Sequence, residues 1–322
     1  MTGITCTHRN EVRLEEFPHA QMHQALFYEN EREYLDGVMD FIAPGLAAGE
    51  PVAAAIPPER GELLARELND HAGEVEILDM FELGRNPARI IPAVERILAH
   101  HDGATLHCVG EPIWPGRTAE EIQEATKHEA LINLAWPGSS IRVLCPYDAA
   151  RLEPDVLEDA ERTHPTVIRH GRKYPTAAYR RGRIPSRSDQ ALPPVPADAA
   201  ELSFGLEDLS RARALVAQAA THAGLSPTRV SDLVLAESEL AGNAVRHGHG
   251  RGLLRVWTRP DRVVCQVESR GHIRDPLAGR RLPEPHVAGG LGLWTVNQLC
   301  DLVEVRSSEE GTIVRVHALR GG

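Results

Sequence analysis

The chain has 322 residues, 42% of them hydrophobic and 25% charged, which is the make-up of a folded globular protein with room for two domains. Its 46 acidic residues outnumber its 35 lysines and arginines, and a net charge of −11 argues against direct nucleic-acid binding, which needs clustered cations. No apolar run reaches the length of a membrane span and the first residues lack the apolar core of a secretion signal, so a cytoplasmic protein without membrane contact is expected.

Residues 1–20 are polar and without pattern, and read as a loose tail. From Gln24 onward strands and helices alternate. Strands are expected at Ala25–Tyr28, Val52–Ile56, Val75–Met80, Thr105–Val109 and Ile141–Cys145. Helices are expected at Glu31–Ala48, Gly61–His71, Pro87–His101, Thr118–Ala135 and Pro154–Arg162. Apolar strands separated by helices imply an α/β fold, a doubly wound, mostly parallel sheet covered on both faces. In such folds ligands sit beyond the strand C-termini. There the stretch Gly110–Ile122, GEPIWPGRTAEEI, sets Trp114 between two prolines with Glu111 and Arg117 nearby. An aromatic with one charge of each sign suits a small-molecule sensory pocket, and an equally good reading makes Trp114 a cap on the core. His128, in KHEALINLAW, is a further candidate for that pocket, although core-edge histidines are common.

The five cysteines (Cys6, Cys108, Cys145, Cys265 and Cys300) are scattered, with no CxxC pair, and read as reduced, mostly buried thiols. Among the sixteen histidines, His100-His101, His107 and His164 share no metal-ligand spacing and read as ordinary surface and turn residues. Residues 180–200 hold four prolines and four arginines with few large apolar side chains, the composition of an extended linker.

Beyond the linker, helices are expected at Leu206–Ala223 and after Ser226-Pro227, where serine caps and proline occupies the first turn. In the second helix Val230, Leu233, Val234, Leu240, Ala241 and Ala244 form an apolar stripe. Glu239, Asn243 and His247, each four apart, share a neighbouring face, where an Asn oxygen suits Mg²⁺. Glu237 falls inside the stripe; pairing with an arginine is expected, with a place beside Glu239 as the alternative. Strands Leu253–Thr258 and Val263–Val267 form a hairpin about Arg259–Arg262. A polar loop, 269–289, is too long for a turn and reads as a lid. It ends in Gly289-Gly290-Leu291-Gly292-Leu293, which opens a helix to Leu299 and brings backbone amides to phosphate. Strands Val303–Arg306 and Thr312–His317 close the chain.

The GEPIWPG and KHEALINLAW motifs resemble the MEDS sensory domain over about residues 20–179. Glu-x-x-x-Asn-Ala with x-x-His-Gly resembles the N-box of the GHKL ATPase superfamily. With hairpin, lid, Gly-x-Gly and helix in order, residues 201–322 are similar to anti-sigma-factor serine kinases (the RsbW type). The resemblance implies a C-terminal GHKL (Bergerat) α/β sandwich that binds ATP and Mg²⁺. It implies Asn243 as the Mg²⁺ ligand, Glu239 as the base for a seryl hydroxyl, and Gly290 and Gly292 at the phosphates. His247 belongs to the N-box, and the lid arginines Arg274, Arg280 and Arg281 are candidates to steady the transferring group. Implied partners are an anti-anti-sigma (STAS) protein, a sigma factor, and an unidentified small-molecule ligand of the sensory domain; a homodimer is compatible. One departure stands out. Where the family carries an adenine-reading Asp-x-Gly, this chain has Ser269-Arg270-Gly271, so Gly271 is kept and the carboxylate is not. Asp275 and Glu268 are the nearby substitutes, and a non-catalytic binding module with a degenerate nucleotide site is the rival reading. A histidine kinase would need a helical hairpin bearing a phosphoacceptor histidine, for which the linker leaves no room.

Overall fold

Strands that are apolar at every residue are stable only inside a sheet covered on both faces. The computed structural model describes residues 22–101, 103–137, 140–282 and 291–321, and places the apolar strands accordingly. β1 (His23–Tyr28), β2 (Val52–Ile56), β3 (Val75–Asp79), β4 (Leu106–Gly110), β5 (Ile141–Asp148) and β6 (Thr166–Arg169) run parallel. β7 (Arg172–Pro175) joins antiparallel, and the sheet order is β3-β2-β4-β5-β1-β6-β7. β2 and β4 are buried throughout, whereas β3 at the edge is mostly exposed.

α1 (Glu31–Ala47) and α2 (Pro58–Leu68) cover one face, packing on Leu26, Tyr28, Ala54 and Ile56. A short turn, α3 (Met80–Leu83), precedes the helices of the other face. These are α4 (Ile90–His100), α5 (Ala119–Ala135) and α6 (Pro154–Thr163), which pack on Ala25, Phe27, Ala53, Cys108 and Cys145. The alternation of β1 between the two clusters follows from its period of two. Asn30 caps α1 by accepting from the Glu33 amide at 3.0 Å, and Thr118 with Glu121 forms a capping box on α5. Each cap contributes about 1 kcal/mol.

The hairpin β6–β7 was not expected from the sequence. β6 has four residues and β7 is exposed throughout, so neither carries a hydrophobic period. What selects β6 is the open edge of β1, on which Gln24 pairs with Thr166. His170 and Gly171, both at positive φ, make the turn.

The second unit is an antiparallel sheet in the order β11-β12-β10-β9-β8. Its strands are β8 (Ala200–Phe204), β9 (Gly252–Thr258), β10 (Arg262–Ser269), β11 (Leu302–Ser308) and β12 (Gly311–Leu319). α7 (Leu209–His222), α8 (Pro227–His247) and α9 (Leu291–Leu299) pack Val216, Leu233, Leu240 and Val296 against Val256, Cys265, Val267 and Val314. The opposite face buries polar pairs, Arg315 Nε to Gln266 Oε1 at 2.8 Å and His317 Nε2 with Glu304 Oε2 at 2.8 Å. The linker lies against the same unit: the carbonyls of Gln190 and Pro193 accept from Arg306 and Arg315 at 2.6 and 2.8 Å. Arg187, in a 3-10 turn at Ser186–Asp189, pairs with Glu158 at 3.0 Å. The linker is therefore a packed strap. Among the described residues no helix is long and apolar enough to cross a membrane.

Candidate functional site

Ser226 caps α8 and Pro227 starts it, and burial of Leu233, Ala236, Leu240, Ala241 and Ala244 fixes its rotation. That rotation turns Glu239, Asn243 and His247 toward a cleft lined by Asn243, His247, Ser269, Gly271, Gly292 and Thr312. Gly292 shows how closely the elements meet. A Cβ there would lie 2.9 Å from Glu239 Oε2 and 3.0 Å from Asn243 Nδ2, so the start of α9 packs directly on these two side-chain ends. A Cβ on Gly271 would lie 2.8 Å from the His247 carbonyl oxygen. The expected Glu239, Asn243, His247, Ser269, Gly271 and Gly292 thus come together. Gly290 lies outside the described residues. A carboxylate and a carboxamide facing the first turn of a helix fit a magnesium-bound polyphosphate.

The end of the cleft where a purine would be read is less well furnished. Ser269 and Asp275 line it, and both substitute carboxylates already accept hydrogen bonds from the protein. Asp275 Oδ1 accepts from the Leu277 amide at 2.9 Å, while Glu268 is held by Arg255 and by Gln266, the latter at 2.7 Å. Glu237 differs from the arginine pairing expected for it. It is buried, and neither carboxylate oxygen has a hydrogen-bond partner among the described residues. Burial lifts it to about 7, and the charge of Arg213 pulls weakly the other way.

The lid arginines also differ from expectation. Arg274 is exposed and does not line the cleft. Arg280 is buried and reaches across to Glu124 Oε2 of α5 at 3.3 Å. Arg281, although it borders the cleft, donates to the carbonyls of Leu134 and Ala135 at 3.2 and 2.7 Å. Leu277 is buried with Ile91, Leu131 and Ala135 of the first unit. Glu124, 1% exposed, also takes Lys127 at 3.0 Å and Arg306 at 2.9 Å. Asn86 and Arg89 extend the contact by donating to the Asn297 carbonyl of α9 at 3.0 and 2.9 Å. Sequence periodicity cannot reveal this seam, because it joins residues more than a hundred positions apart.

In the first unit, Glu111, Trp114, Arg117 and His128 do not assemble into one pocket. The Arg117 guanidinium, 4.2 Å from the Trp114 ring centre, donates to the carbonyls of Pro112 and Gly84 at 2.5 and 2.9 Å. Trp114 packs on the core and on Phe81, so the loop is a clamp and Trp114 its cap. Glu111 accepts from Tyr28 at 2.9 Å, and burial raises it to about 8, where it is protonated at neutral pH. Burial drives His128 down to about 3.

A different group converges here. His23 of β1, Glu129 of α5, Cys145 of β5 and His164 after α6 are all buried. Their donor atoms lie within 4.8 Å of one another. His23 Nε2 and Cys145 Sγ are 3.0 and 3.2 Å from Glu129 Oε2. His164 Nε2 is 3.2 Å from the same oxygen but makes no hydrogen bond. This overturns the reading of His164 as an ordinary turn histidine. The sequence carried no signal for the cluster, because the sheet, not a motif, brings the four together.

Comparisons with known proteins agree with this architecture. Residues 22–165 match the family model of MEDS, the methanogen/methylotroph, DcmR sensory domain. Residues 202–318 match that of the histidine kinase-like ATPase domain. The chain therefore carries a region similar to the MEDS sensory domain followed by one similar to the histidine kinase-like ATPase domain. No curated protein matches. Among solved structures, the RsbU and RsbW domains of Rv1364c from Mycobacterium tuberculosis are 18% identical, over 37% of this chain and 32% of that one. The TM-score of 0.28 is too low for that likeness to carry weight, and this chain spans about a third of that protein.

Proposed function

We propose that this chain is a signalling regulator whose ATPase domain binds Mg²⁺-ATP and phosphorylates a serine on an anti-anti-sigma (STAS) partner. The observation that carries the reading is the convergence of Glu239 and Asn243 on Gly292 in the first turn of α9. When bound, Mg²⁺-ATP supplies the phosphoryl group and neutralises its charge. Asn243 would hold the ion through its carboxamide oxygen, the first turn of α9 would receive the phosphates, and Glu239 would take the proton of the attacking hydroxyl. The sensory domain acts through the lid. α5 holds Arg280 on Glu124, so a change in α5 shifts the segment that covers the nucleotide.

A second reading, a partner-docking module without catalysis, is favoured by Ser269 and by the lid arginines already spent on the first unit. Calorimetry of the full chain with Mg²⁺-ATP separates the two. The kinase reading expects saturable binding that Asn243→Ala abolishes, and a Glu239→Ala variant that still binds but transfers ~10²–10⁴-fold more slowly to its partner. Absence of binding at millimolar Mg²⁺-ATP defeats it in favour of the docking module, and unimpaired transfer by Glu239→Ala removes Glu239 as the base.

A further inference from the structure

The buried group His23, Glu129, Cys145 and His164 lies away from the nucleotide cleft and is used by nothing described above. Its hydrogen bonds decide what each imidazole presents. His164 Nδ1 lies 2.8 Å from the Ala160 carbonyl oxygen, which can only accept, so Nδ1 carries the proton. His23 Nδ1 lies 3.3 Å from Asn133 Oδ1. The orientation of that amide is settled, because Asn133 Nδ2 donates to the carbonyls of Glu129, Ala130 and Thr163 at 3.1, 3.2 and 2.9 Å. His23 Nδ1 therefore donates as well.

With both Nδ1 atoms protonated, a neutral ring has a bare lone pair at Nε2. Two such lone pairs, a carboxylate oxygen and a sulfur are gathered in one buried place, and Glu129 Oε1 has no partner among the described residues. In the metal-free chain one thiol proton, from Cys145 to Glu129 Oε2, serves the group. The two Nε2 lone pairs and the carboxylate otherwise repel, and a cation among the four donors reverses the sign. Imidazoles whose other nitrogen donates to a carbonyl are the usual arrangement of metal-ligating histidines.

We propose that His23, Glu129, Cys145 and His164 form a closed four-ligand site for a zinc-class divalent transition metal in the core of the sensory domain. The donor set selects the ion: thiolate and imidazole favour zinc-class metals and disfavour Mg²⁺ and Ca²⁺. Tetrahedral bonds of about 2.0–2.3 Å put neighbouring donors about 3.3–3.7 Å apart. Four of the six donor separations are 3.0 to 3.3 Å and need an outward shift of only a few tenths of an ångström. The two between His164 and the His23 and Cys145 donors lie within 4.8 Å, so closing on one ion moves the His164 ring inward. The charge also closes. The ion displaces the Cys145 proton to solvent, and two positive charges meet one thiolate and one carboxylate, a neutral set suited to burial. The four ligands come from β1, α5, β5 and the end of α6, so the ion ties one face of the sheet to two of its helices.

Elemental analysis and Co²⁺ substitution of the metal-stripped full chain, without nucleotide, provide the test. One equivalent per chain is expected, with tetrahedral visible bands and a sulfur-to-cobalt charge-transfer band. Cys145→Ser is expected to lose the charge-transfer band, and Cys108→Ser, a buried thiol outside the group, to keep it. A wild-type chain that takes up no stoichiometric metal and shows no such band overturns the proposal whatever the variants do. A band that survives in Cys145→Ser also overturns it, by placing the metal on another sulfur. If Cys145→Ser fails to fold, the wild-type band and a rise in melting temperature on adding Co²⁺ to the stripped chain decide the matter, and absence of both defeats the site.

Discussion

Glu237→Gln isolates the effect of one buried acid on stability. The side chain is 0% exposed in the apolar seam of α8 and neither oxygen is hydrogen-bonded among the described residues. Burial raises the carboxyl from 4.5 to about 7, against a weaker opposing pull from Arg213. That gap corresponds to roughly 3 kcal/mol between the charged and neutral forms. Because the folded-state value is raised, the folded chain binds the proton more tightly than the unfolded chain. Its full stability is present below about pH 4.5 and is lost as pH rises through about 7, after which the loss is constant. Glutamine keeps the shape and cannot ionise. Denaturant titrations of wild type and Glu237→Gln at intervals from pH 4.5 to 8.5 read the difference. The two are expected to be close at pH 4.5, with the variant ahead by about 3 kcal/mol at pH 8. Glu111, raised in the same direction, contributes to both proteins and cancels in the comparison. Parallel stability profiles across this range refute the argument, by showing that Glu237 finds a partner or water in the folded chain.

Glu124→Gln removes the one negative charge that Lys127, Arg280 and Arg306 share; breaking a buried ion pair of this kind costs about 3–5 kcal/mol. It is expected to expose Arg280 and Arg281 to trypsin, and unchanged cleavage there means that Glu124 does not hold the lid. Ser269→Asp restores a carboxylate to the cleft and is expected to tighten ATP binding about tenfold, through a charge-assisted hydrogen bond to the adenine amino group. The gain should vanish when Asn243 is also replaced, and equal ATP affinities of wild type and Ser269→Asp count against purine recognition at this position.

Much of this molecule is decided within one or two turns of chain. The stripe of α8, its Ser226-Pro227 start and the four-residue spacing of Glu239, Asn243 and His247 are local properties, and they suffice to place the helix and its polar face. The same holds for the apolar strands β2 and β4, whose side chains leave no solvent face to choose. Tertiary structure decided what composition and period do not encode. β6 and β7 exist because the edge of β1 was open, not because four-residue segments insist on extension. Arg280 and Arg281 have the look of phosphate ligands from their place in the lid, but Glu124 and the last carbonyls of α5 hold them. The loop Glu111–Arg117 has the look of a pocket because it mixes ring and charges; its guanidinium is held by the loop's own Pro112 carbonyl and by that of Gly84 after α3. His23, Glu129, Cys145 and His164 share no spacing and become neighbours only when the parallel sheet sets β1 beside β5 and lays α5 and α6 over them. Periodicity reports which face of an element is buried, whereas the chemistry of a buried site depends on which faces meet, and that is settled by the pairing of distant strands.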